Sequence, residues 1–415
     1  MTAADTHRAI EAVWRIESAR LIAGLARTVG DVGVAEELAH DALVAALEQW
    51  PESGVPDRPG AWLMATAKHR AIDQFRRRER LERKHQELGR GLQLDQQSGA
   101  ADGDDLLGLM FIACHPVLSV DAQVALTLRL IGGLTTDEIA RAFLVPEPTV
   151  AQRIVRAKRT LSAARVPFEV PGDADMDARL SSVLHVIYLV FNEGYAATAG
   201  DDWLRPALCE DALRLGRILA VLLPLQPEVY GLVALMEIQA SRLKARTGPA
   251  GEPVLLLDQD RARWDHILIR RGLGALERAE HLGGSLGPYT LQAAIAACHA
   301  RARTAAATDW ERIAALYDAL VQLAPSPVVE LNRAVAVAMA FGPAAGLEIV
   351  DGLTSEPSLA QYHLLPGVRG DLLARLGRND EAGVEFARAA SLTRNVRERE
   401  LLLERAAACA RGAAS

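Results

Sequence analysis

The chain has 415 residues, half of them apolar, 24% charged, and a formal net charge of −7. That length allows two to three domains of roughly 150 residues each, and the net negative charge excludes a protein that coats nucleic acid indiscriminately. There is no unbroken apolar run of about 18 residues to span a membrane, no signal-peptide core in MTAADTHRAIEAVWRIE, and no C-x-x-C pair among Cys114, Cys209, Cys298 and Cys409 to make a zinc clip or disulfide framework. A cytoplasmic protein without metal or cofactor is expected, and its Ala-, Leu-, Arg- and Glu-rich composition predicts helices throughout.

The first predicted unit runs from about residue 6 to 84, with helices over His7–Val29, Val34–Gln49 and Arg58–Lys84. The stretch from Pro51 to Pro59, rich in Pro and Gly, is predicted to be a loop. Charge is strongly segregated here. Residues 31–57 carry a local charge of −7 with no Lys or Arg, whereas residues 68–90 carry +5. A polar, glycine-rich segment follows, and residues 85–104 read as a flexible linker. The second unit, 105–167, is again helical, with a local charge of +5 over residues 141–165. The punctuation PFEVPGDADMD separates it from a helical extension over residues 175–415, whose net charge from 166 onward is −6. Toward its end, from about residue 287, similar segments begin at Thr308, Gly342 and Gly377, 34 and 35 residues apart. That period suits stacked helix pairs of the tetratricopeptide kind.

Residues 122–164 read as a helix-turn-helix. AQVALTLRLI stops at Gly132-Gly133, and Thr135-Thr-Asp-Glu138 fits a capping box for the next helix. Pro146 breaks that helix, and Pro148 suits the first turn of the last one. On a wheel of roughly 100° per residue, Val150, Ile154, Ala157 and Leu161 share a narrow arc and should face the core. Gln152, Arg156 and Arg159 fall opposite, flanked by Thr149 and Arg153. Arginine and glutamine on an outward face suit phosphates and base edges in a DNA major groove. Taken alone, the motif fits a repressor, an activator or a specificity factor equally well.

The earlier unit narrows the choice. VAEELAHDALVAALEQW, acidic, precedes AWLMATAKHRAIDQFRRRERLERK, which ends in a run of cations. This order resembles the promoter-melting domain of extracytoplasmic-function sigma factors, in which an acidic helix docks on the polymerase clamp and the next helix engages the minus-ten element. Glu36, Glu37, Leu38 and Asp41 match the docking pattern. Ala61, Trp62, Leu63, Ala67, Arg70, Asp73 and Arg76, Arg77 and Arg78 match the promoter helix. His40 and His69 stand where the family often has Gln and Asn. The resemblance implies an all-α protein of two small promoter-reading domains, the second a helix-turn-helix for the minus-thirty-five element, followed by a tetratricopeptide-like regulatory extension. YLVFNEGY, LCEDALRLGR and LQAAIAACHA are similar to the extension of one subgroup. The implied partners are RNA polymerase core and promoter DNA, with an unknown protein or ligand at the extension and no membrane. Trp62, Lys68, His69, Arg70, Arg76, Arg77, Arg78, Thr149, Gln152, Arg153, Arg156 and Arg159 are the implied DNA-binding residues, and no catalytic role is expected. A tetratricopeptide-like scaffold and an operator-binding regulator are the alternatives.

Other signals have plainer readings. Gly283-Gly-Ser-Leu-Gly287 has the spacing of a nucleophile elbow, but a helix precedes it, so a helix-to-helix turn is expected. DQDRARWD, residues 258–265, reads as a turn capping a helix rather than a metal loop. Phe191-Asn-Glu-Gly-Tyr195 is expected to be a helix end closed by Gly194, with Tyr195 packing back.

Overall fold

A computed structural model of the chain describes residues 3–83, 102–249, 251–284 and 286–413. Among the described residues it is all-helical apart from one two-residue strand pair. The chain divides into two units, residues 1–187 and 188–415, and the division falls inside one helix, α8 below.

In the first unit, α1 (Ala3–Val29), α2 (Val32–Ser53) and α3 (Pro59–Arg83) pack against one another. Ala23, Ala26, Ala35, Ala39, Ala42 and Ala46 are fully buried, and such small side chains let helix axes approach closely. Asp31 caps α2 by accepting from the Val34 N–H at 3.0 Å. The loop predicted from Pro51 is shorter than expected. Helix α2 continues through Pro51 to Ser53 and stops at Gly54, whose φ is 83° and whose N–H donates to the Trp50 carbonyl. A proline in the last turn forfeits one hydrogen bond without stopping the helix, and Gly54 with its positive φ closes it.

Four helices follow: α4 (Asp102–Ala113), α5 (Val120–Thr127), α6 (Thr136–Phe143) and α7 (Glu147–Ala163). Most of the predicted linker lies outside the described residues, but 102–104 already belong to α4, where acidic residues favour a helix N-terminus. Helix α4 packs on α1, and Arg27 pairs with the buried Asp105 at 3.2 Å. The turn after α5 is a π-helical stretch, Leu128–Gly132, closed by Gly133 with φ 74°. The capping box forms as the sequence predicts. The Glu138 N–H donates to the Thr135 hydroxyl oxygen at 3.1 Å, and Glu138 accepts from the Thr135 N–H at 2.8 Å.

Helix α8 (Asp173–Tyr195) leads into the second unit, where α9 (Pro206–Leu222), α10 (Pro227–Ala240), α11 (His266–His281) and α12 (Pro288–Arg301) come first. Three successive pairs then follow: α13 (Trp310–Leu323) with α14 (Pro327–Phe341), α15 (Pro343–Leu353) with α16 (Leu364–Arg375), and α17 (Asn379–Leu392) with α18 (Val396–Ala413). Each helix packs on the next, and the pairs begin where the weak repeat places them. Strands β1 (Ala199–Gly200) and β2 (Arg394–Asn395) pair in parallel, a feature too short to have any periodicity in sequence. Gly283, Gly284 and Gly287 lie between α11 and α12, Ser285 being outside the described residues, and Asp265 caps α11 through the Ile267 and Leu268 N–H groups.

The capping box holds the helix that supports α7. Thr135→Ala is therefore expected to lower stability by about 1 kcal/mol, and Thr135→Ser to leave it nearly unchanged. A denaturation series read by circular dichroism on the full chain checks both.

Candidate functional site

Helix α7 presents two faces as predicted. Val150, Ile154, Ala157 and Leu161 are buried. Thr149, Gln152, Arg156 and Arg159 are exposed. Arg153 is half-buried, because its guanidinium pairs with Asp121 of α5 at 3.0 Å. Thr149, Gln152, Arg153 and Arg156 line one open cleft together with α5 residues. This side carries three arginines, one amide and one hydroxyl, Arg153, Arg156, Arg159, Gln152 and Thr149.

On α3, Trp62 is half-buried and packs edge-on against Trp50, with ring centres 5.3 Å apart. His69 is exposed and Lys68 and Arg70 are half-buried. Arg70 reaches Asp41 of α2 at 3.6 Å, so α2 and α3 share an ion pair. Arg76, Arg77 and Arg78 lie on α3, but their side chains are outside the described residues.

The expected docking residues separate into three environments. Glu37 and Asp41 are exposed, one helical turn apart. Leu38 is 2% exposed and belongs to the bundle core, since it shares the inward face of α2 with Ala35, Ala39 and Ala42. It is a supporting residue rather than a surface contact. Glu36 is 4% exposed, in surroundings that no local pattern of residues announces. Its carboxylate accepts from Arg129 Nε at 2.7 Å and forms an ion pair with Lys158 of α7. Arg129 also donates to the Leu134 carbonyl at 3.2 Å and lies 2.9 Å from His40 Nε2. The other ring nitrogen of His40, Nδ1, lies 2.9 Å from the Glu36 carbonyl. A neutral imidazole protonated at Nδ1 satisfies both contacts, donating to the carbonyl and accepting from Arg129. Burial alone would raise the Glu36 pKa, but Lys158 and Arg129 together hold it below the ordinary carboxylate value. An open groove of about 410 Å³ remains, lined by Glu37, Asp41, Arg129 and Lys158.

These placements agree with what the chain is similar to. Residues 16–81 match the model of sigma-70 region 2, and residues 109–161 match that of sigma-70 region 4. The chain belongs to the extracytoplasmic-function sigma factors. Residues 179–280 match a family of unknown function, DUF6596, which marks the extension. An uncharacterized protein of Rhizobium meliloti (strain 1021), R00370, is 43% identical over 90% of this chain and 89% of its own length. The probable ECF RNA polymerase sigma factor SigI of Mycobacterium tuberculosis is 25% identical over 40% of this chain and 58% of its own. Among solved structures, yeast Tom70 covers 99% of the chain and 85% of its own at 10% identity and a TM-score of 0.32, a likeness too distant to speak to architecture or function. This sigma factor directs RNA polymerase core to promoters for transcription initiation. Among the described residues, no helix is long and apolar enough to cross a membrane.

The Glu36 cluster gives the sigma factor a pH dependence of defined sign. A carboxylate whose folded pKa is lowered contributes stability above its ordinary pKa and loses it as pH falls through the lowered value. Contact between α2 and α7 should therefore be intact at neutral pH and loosen only on acidification below the ordinary carboxylate range. Energy transfer between labels at the exposed positions Glu48 and Thr160 reads this opening, and Glu36→Gln should remove that acid transition.

Proposed function

We propose that the sigma factor docks on the clamp of RNA polymerase through α2, with Glu37 and Asp41 as the exposed contacts and Glu36 as a third that becomes available when α7 moves away. Trp62, Lys68, His69, Arg70, Arg76, Arg77 and Arg78 then serve the minus-ten strand, by cationic contacts and, at Trp62, by stacking. Thr149, Gln152, Arg153, Arg156 and Arg159 grip the minus-thirty-five duplex. Residues 6–84 and 105–167 form the two reading domains, joined by a linker, and residues 175–415 are a regulatory extension with no catalytic role of their own. The setting is cytoplasmic. The single observation that carries this reading is the Glu36 cluster: a docking-helix carboxylate buried against Arg129 and Lys158, while the outward face of α7 stays exposed.

The chain in this form is closed. Removing one partner of a buried ion pair costs about 3–5 kcal/mol because it strands a buried charge. Polymerase therefore gains Glu36 only by supplying compensating contacts of its own. Lys158→Glu sets two carboxylates against each other and should open the pair, raising affinity for purified core enzyme. Unchanged affinity would sink the closed-state reading without touching the docking assignment. Glu37→Lys with Asp41→Lys should abolish co-purification with core while helical content is retained, and undiminished binding would refute that assignment separately.

Alanine at Gln152, Arg156 and Arg159 tests the promoter face. Each lost phosphate contact should lower the salt slope of holoenzyme binding by about one, and each lost base contact should cost roughly 1–3 kcal/mol. Unchanged promoter recognition in the triple variant would mean that this face of α7 reads nothing.

A further inference from the structure

The motif from Phe191 to Tyr195 does more than end a helix. Helix α8 runs through Gly194 to Tyr195. Gly194 serves a close approach instead, since a Cβ there would lie 2.7 Å from the Cys209 backbone nitrogen. Tyr195 does pack back on Phe191, with stacked rings 5.6 Å apart. Two guanidinium groups also lie over the Tyr195 ring: Arg246 at 3.7 Å and Arg242 at 5.7 Å from its centre. Arg246 also lies 4.5 Å from the Trp203 ring, Arg242 lies 5.8 Å from the Trp264 ring, and Arg261 lies 4.7 Å from the same ring. The six side chains form an alternating ladder in the order Trp203, Arg246, Tyr195, Arg242, Trp264, Arg261. All six belong to the segment that matches the family of unknown function.

The ladder is held from outside. Glu193 pairs with Arg205, and Asn395 donates to the Ala197 and Asp202 carbonyls at 3.3 and 3.1 Å, fixing the loop that carries Trp203. Arg261 is satisfied by carbonyls, since it donates to Ala302 at 2.8 Å and to His299. Arg242 is half-buried, and among the described residues its guanidinium has neither a protein acceptor nor a carboxylate partner. Arg246, 8% exposed, has among the described residues only Tyr195 as a side-chain acceptor.

Cation–π contacts occupy the faces of a guanidinium and leave its edges wanting acceptors. Among the described residues, Nε of Arg242 and Arg246 and Nε1 of Trp203 and Trp264, all donors of the ladder itself, are buried without a hydrogen-bond partner. Natural folds seldom leave such atoms unmatched, least of all next to unpaired charge. His299 adds no charge at neutral pH, because burial, then Arg242 and Arg261, push its pKa down to about 4. The deficit is therefore one of negative charge and acceptor atoms.

A cleft of about 690 Å³ adjoins the ladder, within the usual range for small-molecule sites. Trp203 lines it, and so do Ser241 and Thr247, the chain neighbours of Arg242 and Arg246. Its charged lining is four carboxylates against three cations and does not include the ladder's arginines, so the anion preference belongs to the ladder and not to the cleft. We propose that the ladder is a recognition site for an oxyanion, a carboxylate or phosphate borne by a small organic molecule, which meets the unpartnered edge of the half-buried Arg242.

Isothermal titration of the full-length chain with inorganic phosphate and, separately, citrate, against chloride at matched ionic strength, tests the proposal. Saturable binding of at least one oxyanion is expected, with a change in tryptophan emission reporting Trp203 and Trp264. Stronger binding of one probe tells phosphate from carboxylate chemistry. Charge-assisted hydrogen bonds of this kind make Arg242→Gln weaken binding by about tenfold or more. Arg242→Lys should fall between, since it keeps the charge but loses the fork. Arg388→Gln, on the exposed face of α17, should change nothing. Absence of saturable binding of both probes, or binding unaltered in a folded Arg242→Gln variant, overturns the assignment.

Discussion

Glu36 is a carboxylate with almost no water around it, and the first unit is organised by how that charge is met. It sits near the start of α2, and its two cations come from the π-helical turn after α5 and from α7. A buried charge with a missing partner costs several kcal/mol. The carboxylate, Arg129 and Lys158 must therefore remain together or separate together. Arg129 also holds the Leu134 carbonyl, just ahead of the capped helix α6. The same cation that answers Glu36 thus fixes the turn from which the helix-turn-helix is built.

Helix α7 serves this arrangement without giving up its outward face. Ile154 and Leu161 face the domain core, and Lys158 between them is turned toward α2. Gln152, Arg156 and Arg159 remain exposed on the other side. Three demands are thus met by one helix: a core stripe, an ionic contact with α2, and an exposed polar face. A seventeen-residue helix has room for all three because its residues spread around the full circle every 3.6 positions.

What the sequence reveals follows the range of the interactions. The stripe on α7, the capping box and the helix pairs that begin at Trp310, Pro343 and Asn379 are local or periodic, and each is readable from the order of residues. Leu38 is an intermediate case. It lies within the docking pattern, but the alanines on its own face of α2 already mark that face as the inward one. The contact between Glu36 and Arg129 spans 93 positions, and no local pattern announces a pairing of that range. The ladder is harder still. Its side chains come from the end of α8, the following loop, the turn after α10 and the approach to α11, and no period connects them. The one available hint was the aromatic and charged composition around Tyr195, for which a helix-end reading was equally adequate.

The two charge clusters follow opposite electrostatic logic, and the difference bears on what each can do. In the first, a buried anion is fully answered by cations of the same unit, so the cluster stabilises one arrangement and resists exchange. In the second, arginines are packed between rings that take up their faces but supply no counter-charge. Ring quadrupoles attract a cation by about 0.5–2 kcal/mol, well short of the several kcal/mol that a buried ion without a counter-charge costs, and Arg246 is such an ion. That remainder must be borne by the fold of the second unit, which fixes the ladder through Glu193, Arg205 and Asn395. A fold that keeps three guanidinium groups aligned without a carboxylate among them has the electrostatic character of a receptor for an anion. A fold whose only demand was packing would meet the same space more cheaply with apolar side chains.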